Sequence, residues 1–180
     1  MILFLDIENT IIDNLTDCNW LEENCKKIKD FIFTKGIDTV HIYTWGRKTN
    51  KEINKEILNN IYKKLDIAEE QIGSCITKEK SVDYCINGGF IPANEKERAL
   101  IPGMMKSDYS LDKTFVFLFM TRPDRQEGAV YYLIDDTTET NLTGNENAFS
   151  AVFSILLGAV NGTFLIVNIT SFIKRSFKFG

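Results

Sequence analysis

The amino-terminal stretch, from Met1 to Ile12, constrains the fold of this chain more than any other. Its apolar run Ile2–Leu5 ends abruptly at two carboxylates, Asp6 and Glu8. Continuous β-branched and large apolar residues are typical of a strand that is buried on both faces, as in a parallel sheet. Because residues two apart on a strand point the same way, we predict that both carboxylates converge at its carboxyl end, where open α/β sheets bind their ligands.

The two acids admit two interpretations. Carboxylates held this close repel each other unless a cation or a shared proton lies between them, which makes Asp6 and Glu8 candidates for a reactive site. Alternatively, Asp6 and Thr10 only stabilise a turn, because Asp, Asn and Thr are common in turns. The amino-terminal stretch by itself leaves both interpretations open.

Composition limits the size and the class of the protein. A chain of 180 residues with 44% hydrophobic and 26% charged residues is typical of a globular domain. We therefore expect one domain over residues 1–180, with a small insert at about 78–108. The net charge of −4 indicates no basic surface that would attract nucleic acid in bulk.

Cysteine and histidine content argues against a zinc or redox site. The four cysteines form no Cys-x-x-Cys pair, and His41 is the only histidine. We expect free thiols, a cytoplasmic location and no targeting segment ahead of the first strand. The apolar stretch 148–173 is interrupted by Asn161, Gly162 and Asn168, so it is predicted to be a buried helix followed by a strand rather than a membrane span.

Helices and strands are predicted to alternate along the chain. Helical spacing of apolar residues predicts helices from Thr16 or Asp17 to Lys35, from Asn50 to Leu65, from Leu111 to Arg122 (with a strand as the alternative) and from about Glu146 to Val160. Later strands are predicted at Thr39–Tyr43, Ser74–Thr77, Val130–Ile134 and Thr163–Asn168, with a polar loop at 137–147 and a short basic helix or tail to Gly180. The alternation predicts a three-layer α/β/α sandwich of Rossmann type around a mainly parallel sheet.

Three predicted strands end in polar side chains. Asp6 and Glu8 follow the first strand, Thr44 ends the second, and Asp135 and Asp136 end a later one. The carboxyl ends of parallel strands share one edge, so carboxylates from two strands can form a hard oxygen site suited to Mg²⁺. Taken singly, each acid pair is better explained as an exposed turn, and it is their combination that favours a metal site.

The amino-terminal motif resembles one in a known family. Asp6-Ile-Glu8-Asn-Thr10 resembles the first motif, Asp-x-Asp-x-Thr, of the haloacid dehalogenase-like superfamily of phosphohydrolases. The hydrophobic strand that ends at Thr44 is similar to the second motif of that family. This part of the resemblance rests on a moderately specific acidic motif and on a single threonine.

The second half of the chain extends the resemblance. The segment Tyr-Leu-Ile-Asp135-Asp136 is similar to the fourth motif. The third motif of the family is a lysine at the start of the preceding helix, and Lys113 lies at a suitable spacing ahead of Asp135, with Lys106 as the second candidate. The four motifs occur in the family's order and cover most of the chain.

The resemblance implies a Mg²⁺-dependent phosphatase. Asp6 would attack phosphorus and form an aspartyl-phosphate that water then hydrolyses. Lys113 and Mg²⁺ would neutralise charge on the phosphoryl group, and the Thr44 hydroxyl would donate a hydrogen bond to it. Glu8 stands where the family has the aspartate that acts as general acid and then as general base. The implied metal ligands are Asp6, Glu8, Asp135 and Asp136.

The chain departs from the family at Glu8, and its insert is small. The additional methylene of Glu8 moves the carboxyl group, and a small misplacement can lower a rate on the order of 100-fold. A minimal cap at 78–108 implies an open site for a phosphorylated small molecule, a phosphoprotein or a nucleic-acid end, or a cap supplied by a partner chain in a homo-oligomer. Two alternatives remain: a binding or regulatory protein on the same fold, and a metal-dependent nuclease of the PIN or NYN type.

Overall fold

The described part of the molecule is built on one six-stranded sheet. A computed structural model describes residues 1–45, 53–81, 113, 117 and 130–136 with their side chains, and 163–168 and 174–178 as backbone. The strands are β1 (Ile2–Leu5), β2 (Thr39–Thr44), β3 (Ile72–Thr77), β4 (Val130–Asp135), β5 (Thr163–Asn168) and β6 (Lys174–Lys178). The helices are α1 (Glu22–Lys35) and α2 (Lys55–Lys64), with a 3₁₀ turn at Glu69–Gln71 and further helical residues at 78–81, 113 and 117.

The sheet is mainly parallel, and the chain reverses direction across it. Its order is β3-β2-β1-β4-β5-β6, and every pairing is parallel except β5 with β6. From β1 the chain moves outward through β2 and β3, and it later returns to the other side of β1 to form β4 and β5. Open α/β sheets bind ligands at such a reversal. The crevice is therefore expected between the carboxyl ends of β1 and β4.

One face of the sheet is aliphatic and is covered by both α1 and α2. Leu3 and Leu5 of β1 and Ile42 of β2 are fully buried against these helices. Side chains alternate between the faces of a strand, so these positions share one side. The helices contribute Cys25, Ile28, Phe31, Ile32, Ile61 and Tyr62 to the same core. This packing holds β1 and β2 rigidly beneath the edge where the acids lie.

The opposite face of the sheet carries an aromatic cluster. The Phe4 ring lies 5.8 Å from the Tyr43 ring, 5.2 Å from the Phe117 ring and 4.9 Å from the His41 ring, measured between centroids. Phe117 is helical and fully buried. A helical residue four positions after Lys113 in the sequence thus contacts this face as well.

Helix α1 begins later than its sequence predicts. The prediction started it at Thr16 or Asp17, but it begins at Glu22, with Leu21 as its N-cap. The Asn14 side chain instead accepts hydrogen bonds from the backbone N–H groups of Thr16 and Asp17, which stabilises a turn. The predicted end is confirmed, because Gly36 adopts the left-handed conformation that closes many helices.

Other boundaries differ at α2 and at the carboxyl terminus. Asn54 caps α2, its side chain accepting from the N–H of Glu56 at 2.8 Å, so the helix does not begin at Asn50. The basic segment 174–178 is an antiparallel edge strand, β6, rather than a helix or tail. Charged residues are common on edge strands because they discourage pairing with other chains. The basic charge of this segment therefore could not distinguish an edge strand from a helix or tail.

The remaining predictions divide into confirmed strands and segments beyond the described residues. The predicted strands at 39–43, 130–134 and 163–168 are confirmed within one residue, and the short strand at 74–77 extends back to Ile72. The insert beyond residue 81, the loop at 137–147 and the helix at about 146–160 lie outside the described residues. Within the described ranges, no helix has the length and apolarity needed to cross a bilayer.

Candidate metal and phosphoryl site at the carboxyl edge

Asp6 is fixed at the carboxyl end of β1 by the backbone and by one hydroxyl group. Its N–H donates to the carbonyl of Ile134 at 3.0 Å, so the β1–β4 ladder extends to this residue. The Thr10 hydroxyl donates to Asp6 Oδ2 at 3.0 Å. Thr10 can reach back because Asn9 adopts a left-handed conformation, with a φ angle of 58°, that turns the chain. The turn interpretation and the site interpretation of this motif are therefore compatible.

A buried lysine joins the ends of β1 and β4. Lys113 Nζ lies 2.5 Å from Asp6 Oδ1 and 2.7 Å from Asp135 Oδ2, and all three residues are at most 6% exposed. The Tyr43 hydroxyl donates to the Lys113 carbonyl at 2.7 Å, and the ammonium lies 5.2 Å from the Tyr43 ring centroid. Lys113 is thereby held in place by β2 as well. Lys106 lies outside the described residues.

Asp136 completes a group of three carboxylates. One oxygen each from Asp6, Asp135 and Asp136 lies within 4.8 Å of the others. Burial raises the pKa of Asp136 to about 8, and a hydrogen bond with the Asp135 side chain contributes to the rise. Asp136 therefore retains a proton near neutral pH. A metal cation bound by the three carboxylates would take the place of this proton as the source of positive charge.

Burial and neighbouring charges act in opposite directions on the pKa values of Asp6 and Lys113. Burial raises the pKa of Asp6 to about 6, although the Lys113 charge opposes the rise. Burial lowers the pKa of Lys113, but the neighbouring charges of Asp135 and Asp6 outweigh it, and the net pKa is raised. Asp6 is therefore mostly ionised and Lys113 charged at pH 7.

Two polar groups at the end of β2 are buried without a partner. Within the described part of the chain, the Thr44 hydroxyl and the Trp45 indole N–H are the buried side-chain groups that make no hydrogen bond. Thr44 is fully buried and Trp45 is 7% exposed. An unpaired buried donor costs about 1–3 kcal/mol. The sequence predicted Thr44 as a site residue but missed Trp45, whose only signal is its position directly after the strand end.

Glu8 does not belong to the carboxylate group. Among the described residues, the group comprises Asp6, Asp135 and Asp136, whereas Glu8 Oε1 accepts the Leu15 N–H at 3.2 Å. The prediction that Glu8 is a metal ligand therefore has no geometric support here. The added methylene lets the carboxyl group reach the 13–19 loop instead.

The other singled-out residues are structural. His41 Nδ1 accepts the Ser74 N–H at 2.9 Å, as expected for a hydrogen-bonded residue, and burial lowers the pKa of its imidazole. Cys18, Cys25 and Cys75 are free thiols, and Cys85 lies outside the described residues.

Comparisons with known proteins identify no relative. No protein-family model, curated protein or solved structure matches this chain. The function of the chain is therefore inferred from the chemistry of the carboxyl edge.

Proposed function

We propose that this protein is a Mg²⁺-dependent phosphatase that forms an aspartyl-phosphate on Asp6. The observation that carries the proposal is the position of Lys113, whose ammonium lies between Asp6 and Asp135 at the topological reversal of the sheet. A cation buried beside a carboxylate nucleophile is what attack on an anionic phosphate requires, because the two anions otherwise repel each other.

The donor set suits a divalent metal ion. Three carboxylates and one ammonium carry a formal charge of −2 when all are ionised. Oxygens on opposite sides of a Mg²⁺ ion lie about 4.2 Å apart, twice the usual bond length, and those of Asp6, Asp135 and Asp136 lie within 4.8 Å. Asp6, Asp136 and Asp135 would hold the ion; Lys113 contacts Asp6 and Asp135 alike, so this contact excludes neither from coordination. The ion would supply charge neutralisation to the phosphoryl oxygens.

The chain's own residues would perform the covalent steps. A carboxylate oxygen of Asp6 forms a bond to phosphorus as the ester P–O bond breaks, and the leaving oxygen takes a proton. Lys113 stabilises the negative charge that develops, and the Thr44 hydroxyl donates to a phosphoryl oxygen. Water then attacks phosphorus, loses its proton and displaces Asp6, which yields inorganic phosphate.

Glu8 is the proposed proton donor and acceptor for these steps. Its carboxyl group is half-buried and is held by the Leu15 N–H outside the carboxylate group. It must leave that contact to reach a leaving group. We therefore expect slow turnover relative to an enzyme with an aspartate at this position.

The same proposal includes the arrangement of the helices in layers on both faces of the sheet. The helices α1 and α2 cover the aliphatic face, and the helical Lys113 and Phe117 contact the aromatic face. These contacts support a three-layer α/β/α sandwich of the haloacid dehalogenase-like type; the small cap in 78–108 stays a prediction from the sequence.

Hydrolysis of p-nitrophenyl phosphate with Mg²⁺ tests the proposed function. Wild type should release p-nitrophenol, and Asp6→Asn should reduce the rate to background. Asp66→Asn is the matched control, because Asp66 is exposed and has a positive φ angle that asparagine tolerates. Equal rates for wild type and Asp6→Asn would refute the proposal.

A second candidate is a binding or regulatory protein on the same fold. The contact between Glu8 and the Leu15 N–H favours it, because this contact holds the expected acid–base group away from the cluster. This candidate predicts near-zero wild-type turnover that Glu8→Asp raises. Rapid turnover by wild type would exclude it.

A nuclease of the PIN or NYN type is the third candidate. Such sites depend on several carboxylates and need no lysine, whereas here the ammonium of Lys113 lies within the cluster. Nuclease activity that survives Lys113→Ala, without phosphatase activity, would support the nuclease instead.

A further inference from the structure

The Trp45 indole N–H is a buried donor that has no acceptor in the part of the chain that the structure describes. Trp45 is 7% exposed, and its Nε1 makes no hydrogen bond within the described part of the chain. Folded proteins pair nearly all such groups, and the exceptions call for an explanation. The neighbouring Thr44 hydroxyl is the other unpaired buried donor. Two consecutive unpaired donors at one strand end indicate that the described part of the chain does not supply their acceptors.

Trp45 lies on the side of the sheet that carries the reactive group. Its ring centroid lies 6.3 Å from that of Tyr43, and the Tyr43 ring lies 5.2 Å from Lys113 Nζ. Tyr43 and Trp45 are two residues apart, so strand alternation directs them to the same face. Asp6 directly follows Leu5, the last residue of β1, and Leu5 pairs with Ile42 of β2. Trp45 is therefore adjacent to the carboxyl edge that holds Asp6 and Lys113.

The surroundings of the indole favour an anionic acceptor. The Lys78 ammonium lies 5.5 Å from the Trp45 ring centroid, and Lys113 lies beyond Tyr43. The Lys78 ammonium beside the ring of the unpaired indole makes an anionic oxygen the favoured acceptor, because hydrogen bonds with a charged partner are about twice as strong as neutral ones. A neutral apolar ligand would leave the N–H unpaired.

We infer that Trp45 is a substrate-contacting residue, whose indole N–H donates a hydrogen bond to an anionic oxygen of the bound phosphate ester. This inference depends on the proposed phosphatase function, and it assigns to that site a donor additional to Thr44 and Lys113. It also implies that Trp45→Phe removes a contact used only when substrate is bound. The empty protein loses no hydrogen bond by this change, because phenylalanine has no donor to leave unpaired, and it loses only the packing of the larger ring.

Nuclear magnetic resonance of the indole groups tests the contact directly. The chain has two tryptophans, so a ¹⁵N-labelled sample gives two indole N–H signals, which Trp20→Phe and Trp45→Phe assign. Addition of orthovanadate to protein saturated with Mg²⁺ should move the Trp45 signal downfield and leave the Trp20 signal in place. A Trp45 signal that does not respond to bound vanadate overturns the inference.

Kinetics and thermal unfolding separate a binding role from a structural one. Trp45→Phe should lower kcat/KM for p-nitrophenyl phosphate about 10-fold, the effect of losing one hydrogen bond to a charged group. Tm should fall only slightly, because the smaller ring loses some packing but no hydrogen bond. Trp20→Phe should leave kcat/KM unchanged. If wild type is active and Trp45→Phe matches it, or if Tm falls while kcat/KM is retained, the inference is wrong and the phosphatase proposal stands. If wild type is inactive, the phosphatase proposal itself fails.

Discussion

Replacing Lys113 with methionine should destabilise the protein far more than removing a lysine from its surface. Methionine keeps the length of the side chain but lacks the ammonium that contacts both Asp6 and Asp135. The two carboxylates would remain buried without a counter-charge, and breaking a buried ion pair in this way costs about 3–5 kcal/mol. For a chain of this size, that loss lowers Tm by roughly 6–20 °C.

The matched control is Lys64→Met. Lys64 Nζ lies 2.7 Å from Glu22 Oε1, but the two side chains are 29% and 70% exposed, so this pair contributes at most about 1 kcal/mol. Urea denaturation of both variants at pH 8 without divalent metal measures the difference. The decrease in the free energy of unfolding caused by Lys113→Met should be smaller at pH 5, because protonated carboxyl groups need no counter-charge. A loss no larger than that of the control would refute the claim that Lys113 balances the cluster.

Mg²⁺ affinity, measured by calorimetry, should weaken as the pH falls from 9 to 6.5, because the metal must displace the proton that Asp136 holds with a pKa of about 8. For the same reason, the raised pKa of Asp136 makes the metal-free protein progressively less stable as the pH rises from the ordinary pKa of 3.8 to about 8, and saturating Mg²⁺ should reduce that decline. An affinity independent of pH would contradict both expectations. Gly73→Ala should lower Tm by several degrees, because the new Cβ would lie 2.4 Å from His41 Nδ1. Ser74→Ala should not, since Ser74 bonds His41 through its backbone, and equal Tm values for the two variants would contradict the steric argument.

The sheet could be predicted from the sequence because its strands are marked by local patterns. Apolar runs such as Ile2–Leu5 and Val130–Asp135 are too continuous for a half-exposed surface, and each ends at a carboxylate. The alternation of strands with helices then implied parallel pairing. Where the pattern was weak, as in the basic segment Lys174–Lys178, the prediction of a helix or tail was wrong.

Boundaries and contacts that depend on tertiary structure could not be predicted in the same way. Helix α1 begins at Glu22 because the Asn14 side chain stabilises the preceding turn, which competes with the helical signal of Thr16 and Asp17. The position of Glu8 depends on where the 13–19 loop presents the Leu15 N–H. Sequence spacing identifies a residue type at the end of a strand, but it does not determine which partner that residue finds.

The residues at the carboxyl edge could also be predicted only in part. The sequence predicted that acids from β1 and β4 lie at one edge, and the structure brings Asp6, Asp135 and Asp136 together there with Lys113. The unpaired state of the Trp45 indole could not be predicted, because it depends on where the other described segments place their hydrogen-bond acceptors.

Anomalous diffraction from crystals grown with Mn²⁺, a scattering substitute for Mg²⁺, tests the central claim most directly. The account predicts one strong peak within coordination distance of carboxylate oxygens from Asp6 and Asp136, with Lys113 still beside Asp6. A saturated crystal with no peak at this position, or with its only peak remote from Asp6, would contradict the account.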